Sequence, residues 1–386
     1  MFLYWLELRK LLTSAALWGF LAACLLLNLL IIGNARDEYA DDVAAVSDVT
    51  GVALGPAFHD RLSRVTADGV RQAIHLDWLR QETDGAADVF DGYETGYIGE
   101  RYIAAAGMTG YFAEAMRDKY AKLQKVVEEK AKRDESLSLY FAGATYARHQ
   151  MLFNTLMGWL LVEGALIAAL AALLSTGYEQ IFRTGGIVYS TRAGRLIMRP
   201  KLAASVTAGL AAYALLALLT LAVWFGFNEY GEVWRSNVSS LFNYRVDLIA
   251  GKRPFVTWHS FSVLAYLLAV LATGAGLVLC FSLMAFGIGI GLRNSYIAFL
   301  LYLAANAAMI AGPVLVPQTW MAGMAIRYLS MLSPVWLWLK RSVWFTDGDI
   351  DILWAHFETA GLCASFAALA VFCLLAEFRF RKRNLA

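Results

Sequence analysis

Charge is scarce in this chain. Of its 386 residues only 17% are Asp, Glu, Lys or Arg, while 59% are hydrophobic; an average soluble protein is roughly 25% charged and 45–50% apolar. Mean hydropathy is +0.53. The shortage excludes an ordinary soluble globule and points to a polytopic membrane protein. Cysteine is sparse as well, and Cys24, Cys280, Cys363 and Cys373 all fall within apolar runs. No disulfide framework or CxxC metal spacing follows from them; they read as small buried apolar residues. Catalytic signatures are missing too. Gly251-Lys252-Arg253 lacks the upstream glycine spacing and the Ser/Thr of a P-loop. There is no GxSxG and no HExxH, and His59, His75, His149, His259 and His356 are scattered. With no soluble basic domain to hold phosphates, nucleic acid is not an expected partner. Neither enzyme activity nor a cofactor or metal of its own is expected of this chain.

What is present is a set of long apolar runs. The first, Leu11 to Ile32, exceeds the roughly 7–15 residues of a signal-peptide core and approaches the ~20 residues a spanning helix needs. It reads as an uncleaved first span, ending at Gly33. Further spans are expected at about Phe153–Leu174, Leu202–Phe227, Phe261–Ile290, Tyr296–Val316 and Phe357–Leu375. Before the first span, MFLYWLELRK mixes aromatic, aliphatic and charged residues at helical spacing, the pattern of a helix lying on a membrane surface. The expected organisation is therefore residues 1–33 as interfacial helix and first span, 34–150 as an extracytoplasmic domain, and 151–386 as a five-span bundle.

Orientation follows from the basic residues. Between the second and third spans, Tyr178 to Lys201 holds Arg183, Arg192, Arg195, Arg199 and Lys201 against one acid, Glu179. The N-terminal segment, the turn around Arg293 and the tail with Arg379, Arg381, Lys382 and Arg383 are also basic. All four lie on one side if both termini are cytoplasmic. Asp347, Asp349 and Asp351 then lie outside, although Lys252 and Arg253 fit less well.

Residues 34–150 carry 20 acidic side chains against 14 basic ones. Phe112, Met116, Tyr120, Leu123 and Val127 recur at helical spacing, predicting one amphipathic helix over 111–134. Leu62, Val65, Val70, Ile74 and Trp78 suggest another, and Gly85, Gly92, Gly96 and Gly99 a loose connection. A helical domain is expected rather than a β-domain. The connection 317–356 is rich in aromatics, among them Trp320, Trp336, Trp338 and Trp344. It is expected to form one or two short helices at the outer leaflet, interrupted at Pro334, as a re-entrant segment before the last span.

One charged residue stands inside an apolar run. Glu163 lies in GWLLVEGALIAALAALL, and a carboxyl at bilayer depth must face protein or water. It marks either a translocation path or dimer seam, or a hydrogen-bonded structural acid facing Asn28 or Asn306. Gly158 and Gly164 on the same span permit close helix approach. Asn237-Val238-Ser239 matches a glycosylation sequon with nothing else to support it.

A surface helix, six spans, a basic loop after the second span and an aromatic connection before the last together resemble the permease subunits of bacterial type-2 ABC exporters. The local residues carrying the resemblance are Glu179, Thr184-Gly185, Tyr189-Ser190-Thr191, Gly194-Arg195 and Lys201. SLSLYFAGATYARHQ before the second span and VWRSNVSSLFNYRVDLIAGKRPFVTW after the third resemble members with an external domain between the first two spans. The resemblance implies an all-α fold in the bacterial cytoplasmic membrane and a coupling helix in 176–201. It implies a separate nucleotide-binding ATPase subunit that holds ATP and Mg, and a homodimer or a heterodimer with a related permease. Contacts to that ATPase would come from Glu179, Arg183, Thr184, Tyr189, Ser190, Thr191, Arg192 and Arg195. The external domain suggests an amphiphilic substrate, an antimicrobial peptide or lipid, moving among membrane lipid. Two alternatives stay open: an ATPase-driven sensor or mechanotransmitter, and an ion-coupled secondary transporter using Glu163.

Overall fold

The computed structural model describes residues 2–190, 194–292, 294–316 and 321–382. Among them six helices are long and apolar enough to cross a membrane: Ala15–Gly33, Thr145–Ile181, Met198–Phe227, Val263–Gly291, Ser295–Leu315 and Phe357–Lys382. The chain is a mostly helical, multi-pass membrane protein. Helices serve here because each satisfies its backbone polar groups internally. The second span is the hub and packs against the first, third, fourth and fifth. Its apolar stretch is 72% buried, against 17% for the fifth and sixth, so those two form the rim.

Small residues let the hub's neighbours approach. A Cβ on Gly164 would sit 2.7 Å from Tyr213 of the third span and 2.8 Å from Val278 of the fourth. Gly158 serves a different contact from the expected one. Its missing Cβ makes room for the Arg341 guanidinium, which belongs to the connection before the sixth span. The second span is also longer than expected at both ends. Its N-terminal part contains a π-helical turn, Gln150–Leu156, where Arg341 Nε donates to Asn154 O at 2.9 Å.

The N-terminal helix Phe2–Leu12 is separate from the first span, with Thr13 and Ser14 between them. It buries Leu8 and Leu11 against Ala204 and Ala208 of the third span. We call this end of the bundle proximal. The opposite, distal end carries the domain between the first two spans. Five helices build that domain: Glu38–Thr50, Pro56–Arg64, Val70–Thr83, Gly96–Ala106 and Gly110–Ala131. Gly110–Ala131 buries the predicted stripe Phe112, Met116, Tyr120, Leu123 and Val127.

Two local expectations are corrected. The stripe from Leu62 to Trp78 is split at Gly69, whose φ of +101° turns the chain. The second helix then buries Leu76 and Leu79, leaving Val70, Ile74 and Trp78 exposed. Gly96 and Gly99 do not lie in a loose connection but begin a helix. A Cβ on Gly99 would come within 2.9 Å of the Tyr120 ring, so this glycine permits the crossing of two domain helices.

The connection before the sixth span forms Met321–Ser330 and Pro334–Leu339, Pro334 occupying the first turn of the second helix. Its aromatics divide. Trp336 donates to Met309 O of the fifth span and Trp338 to Gly158 O of the second. Trp344 is buried in the main core, and Trp320 lies outside the described residues, while Tyr328 joins the domain core. Tyr328 stacks on Phe112 at 5.3 Å between ring centres, and Met324, Tyr328 and Leu353 share a cluster with Tyr102, Met116 and Tyr120. Between the third and fourth spans lies a small antiparallel ribbon, Tyr244–Asp247 with Gly251–Pro254.

Candidate functional site

The proximal end holds a buried ion network. Glu179, in the last turns of the second span, is 2% exposed and accepts from Lys201 Nζ at 2.7 Å. Lys201, at the start of the third span, also lies 3.3 Å from Glu7 of the N-terminal helix and donates to Ser175 O. Lys10 closes the set, 2.5 Å from Glu7 and 3.7 Å from Glu179, with its ammonium 4.5 Å from the Tyr178 ring centre. Buried charge is costly unless paired and hydrogen-bonded, and here two acids meet two bases. Glu179 was expected to face an outside partner. It instead faces inward and ties two spans to the N-terminal helix.

The loop grows directly from this network. The second span ends in a left-handed residue, Arg183 at φ +54°. Thr184 N donates to Glu179 O at 2.8 Å and Arg183 N to Gln180 O at 3.2 Å, the paired bonds of a Schellman stop. Thr184 O then accepts from Ile187 N and Val188 N, both at 3.1 Å, starting the short helix Gly185–Ser190. Tyr189 Oη donates to Glu179 at 3.4 Å, and its ring meets Phe380 of the sixth span at 5.3 Å. Ser190 Oγ caps back onto Ile187 O at 2.9 Å. Arg199 pairs with Glu377 of the sixth span at 3.1 Å. Thr191 and Arg192, and the side chain of Arg195, lie outside the described residues. Arg183, Phe182, Ile187 and Leu196 are exposed. A groove of about 550 Å³ runs between the loop and the N-terminal helix, lined among others by Arg9, Lys10, Tyr178 and Ile187.

The intramembrane acid has a different setting. Glu163 is 3% exposed and Asn28 fully buried. Asn28 Nδ2 donates to Glu163 Oε2 at 2.8 Å and to Thr220 Oγ1 at 3.1 Å, joining the first three spans. Asn306, expected as an alternative partner, is not part of this node. Its amide turns back to Tyr302 O at 2.9 Å in its own helix.

Sequence reasoning missed a second buried network, at the distal end. Asp347 is 1% exposed. It accepts from Arg245 at 3.0 Å, from Arg253, and from Tyr120 Oη at 2.9 Å. Lys119 donates to Asp347 O at 2.9 Å and Ile352 O at 2.6 Å. Burial alone would raise the Asp347 carboxyl, but Arg253, Arg245 and Lys119 hold it below its ordinary range. Burial pushes the Lys119 ammonium down to about 7. The network locks the domain, the ribbon and the connection before the sixth span together. Its one sequence signal was the placement of Arg245 and Arg253 around a glycine turn; they face each other across the ribbon.

A further groove of about 680 Å³ opens near the proximal end between the first, second and fifth spans. Phe20, Leu166, Leu170, Leu173 and Phe299 form its wall, and Gln180, Asn294 and Ser295 its polar mouth. No family model, no curated protein and no solved structure matches this chain.

Proposed function

We propose that this chain is the membrane subunit of an ATP-driven exporter, working with a separate ATPase subunit that binds ATP and Mg. The supporting observation is the build of the proximal loop. Its short helix shows Ile187 to the outside, while Tyr189 beneath it reaches Glu179 of the second span and Phe380 of the sixth. Glu179 is in turn paired with Lys201 of the third span, which also meets Glu7 of the N-terminal helix. A force applied to such a helix passes into the bundle rather than into a flexible loop. The chain has no P-loop of its own, so the force must come from another protein.

In this reading the proximal end is cytoplasmic, the membrane is the bacterial plasma membrane, and two permeases form a homodimer or heterodimer. The motor meets Arg183, Thr184 and Ser190 on the loop, with Thr191, Arg192 and Arg195 beside them. Glu179 and Tyr189 support the loop from beneath. The substrate is amphiphilic, an antimicrobial peptide or a lipid. An apolar wall with an amide and hydroxyl mouth suits such a molecule.

Co-purification with a candidate ATPase tests the assignment. Arg192→Glu and Arg195→Glu together are expected to abolish complex formation and stimulated hydrolysis. Unchanged assembly and hydrolysis would sink it. A second reading, an ATPase-driven sensor, draws support from the rigid fastening of the distal domain through Asp347. Substrate accumulation in inverted vesicles separates the two, since a sensor couples hydrolysis without transport.

A further inference from the structure

The node at Glu163 has a property beyond exporter architecture. Only one of its carboxyl oxygens is bonded: Oε1 has no hydrogen-bond partner, and neither does Asn28 Oδ1. Among the described residues no Lys, Arg or His forms an ion pair with Glu163. The titratable groups around it are neutral ones. Cys24 lies on the first span within electrostatic reach. Tyr213 of the third span packs on Gly164, and Tyr302 of the fifth donates to Ala165 O at 3.4 Å. An unpaired carboxylate here costs several kcal/mol. Protonation removes that cost.

Asn28 is suited to either state. Its amide sits between the Glu163 carboxyl and the Thr220 hydroxyl. With the carboxyl ionised, Nδ2 donates to Oε2. A half-turn of the amide exchanges Oδ1 and Nδ2 with little movement of heavy atoms. Oδ1 then accepts from the carboxylic O–H and from the Thr220 hydroxyl. The same three side chains thus hold the group with and without its proton.

We propose that Glu163, Asn28 and Thr220 form a reversible proton-binding site inside the bundle. Glu163 takes up one proton when its surroundings are closed, as here, and releases it to water when the first three spans part. This holds whether or not the chain is an exporter. It would make an ATP-driven cycle sensitive to pH within the membrane.

The test uses the full chain, purified in detergent and treated with dicyclohexylcarbodiimide, an apolar reagent that modifies protonated carboxyls in apolar surroundings. Adduct position is read by peptide mass spectrometry across a pH series. Modification at Glu163 is expected to be strong at low pH and to fall severalfold as pH rises. Asn28→Leu removes the donor that favours the ionised form, so modification is expected to persist to higher pH in that variant. No adduct at Glu163 at any pH, or an adduct yield independent of pH, would overturn the proposal. Wild-type protein alone decides this, so the result stands even if Asn28→Leu fails to fold.

Discussion

At the proximal end Lys10 and Lys201 face Glu7 and Glu179. At the distal end Arg245, Arg253 and Lys119 gather about Asp347. Both networks are buried, but the first is matched charge for charge and the second is not. The distal cations place their remaining donors on main-chain oxygens, those of Gly348, Asp347 and Ile352. The proximal network can therefore lose one member and redistribute. The distal one centres on the Asp347 carboxylate, with Asp247 reaching Arg253 only through Tyr102 Oη, and Asp347 also holds the domain to the bundle's last connection.

The largest expected effect breaks the distal network. Asp347→Asn keeps the shape but leaves Arg245 and Arg253 buried without the acid they bond, costing about 3–5 kcal/mol. Thermal unfolding of the full chain in detergent should show it, together with faster proteolysis within residues 34–144. Lys201→Met at the proximal end is expected to cost less, about 2 kcal/mol, because Lys10 still reaches both acids. If the two variants are equally damaging, the contrast between matched and unmatched networks is wrong.

A pH series sharpens the comparison further. Folded Lys119 titrates near 7, well below about 10.4 for an unfolded lysine. Between these values the unfolded chain binds more protons, so stability rises with pH there, by at most about 1.4 kcal/mol per pH unit. Below pH 7 both forms are charged and the penalty is fully present. Lys119→Met should flatten this rise, measured by unfolding midpoints at pH 7 and 9. The smallest effect belongs to the exposed pair Arg117–Glu100 at 2.7 Å. Replacing both by Ala should leave the midpoint unmoved.

The contrast also explains what the sequence made legible. Spans declare themselves because each apolar run is long, and the helix over Gly110–Ala131 because its stripe repeats five times. The Glu163–Asn28 pair was half legible, since an acid in an apolar run demands a partner, but spacing could not choose Asn28 over Asn306. Asp347 was invisible for a physical reason. Its partners come from residues 94 to 228 positions away, and no local period encodes such a meeting. Glu179 is an outward contact only by the family resemblance; the fold shows that Lys201 and Lys10 claim it. Ile74 and Trp78 fit a helical period across a break at Gly69 that turned the helix over.

The π-helical turn at Gln150–Leu156 has its own consequence. Such a turn holds one residue more than an α turn, and one residue is worth about 100° of rotation around the axis. Upstream, Arg148 reaches Asp41 at 2.7 Å and Asn228 at 3.0 Å; downstream, Glu163 reaches Asn28 at 2.8 Å. The wide turn resets the azimuth between these two contacts. A single helix thus keeps two compass bearings, one for the domain and one for the bundle.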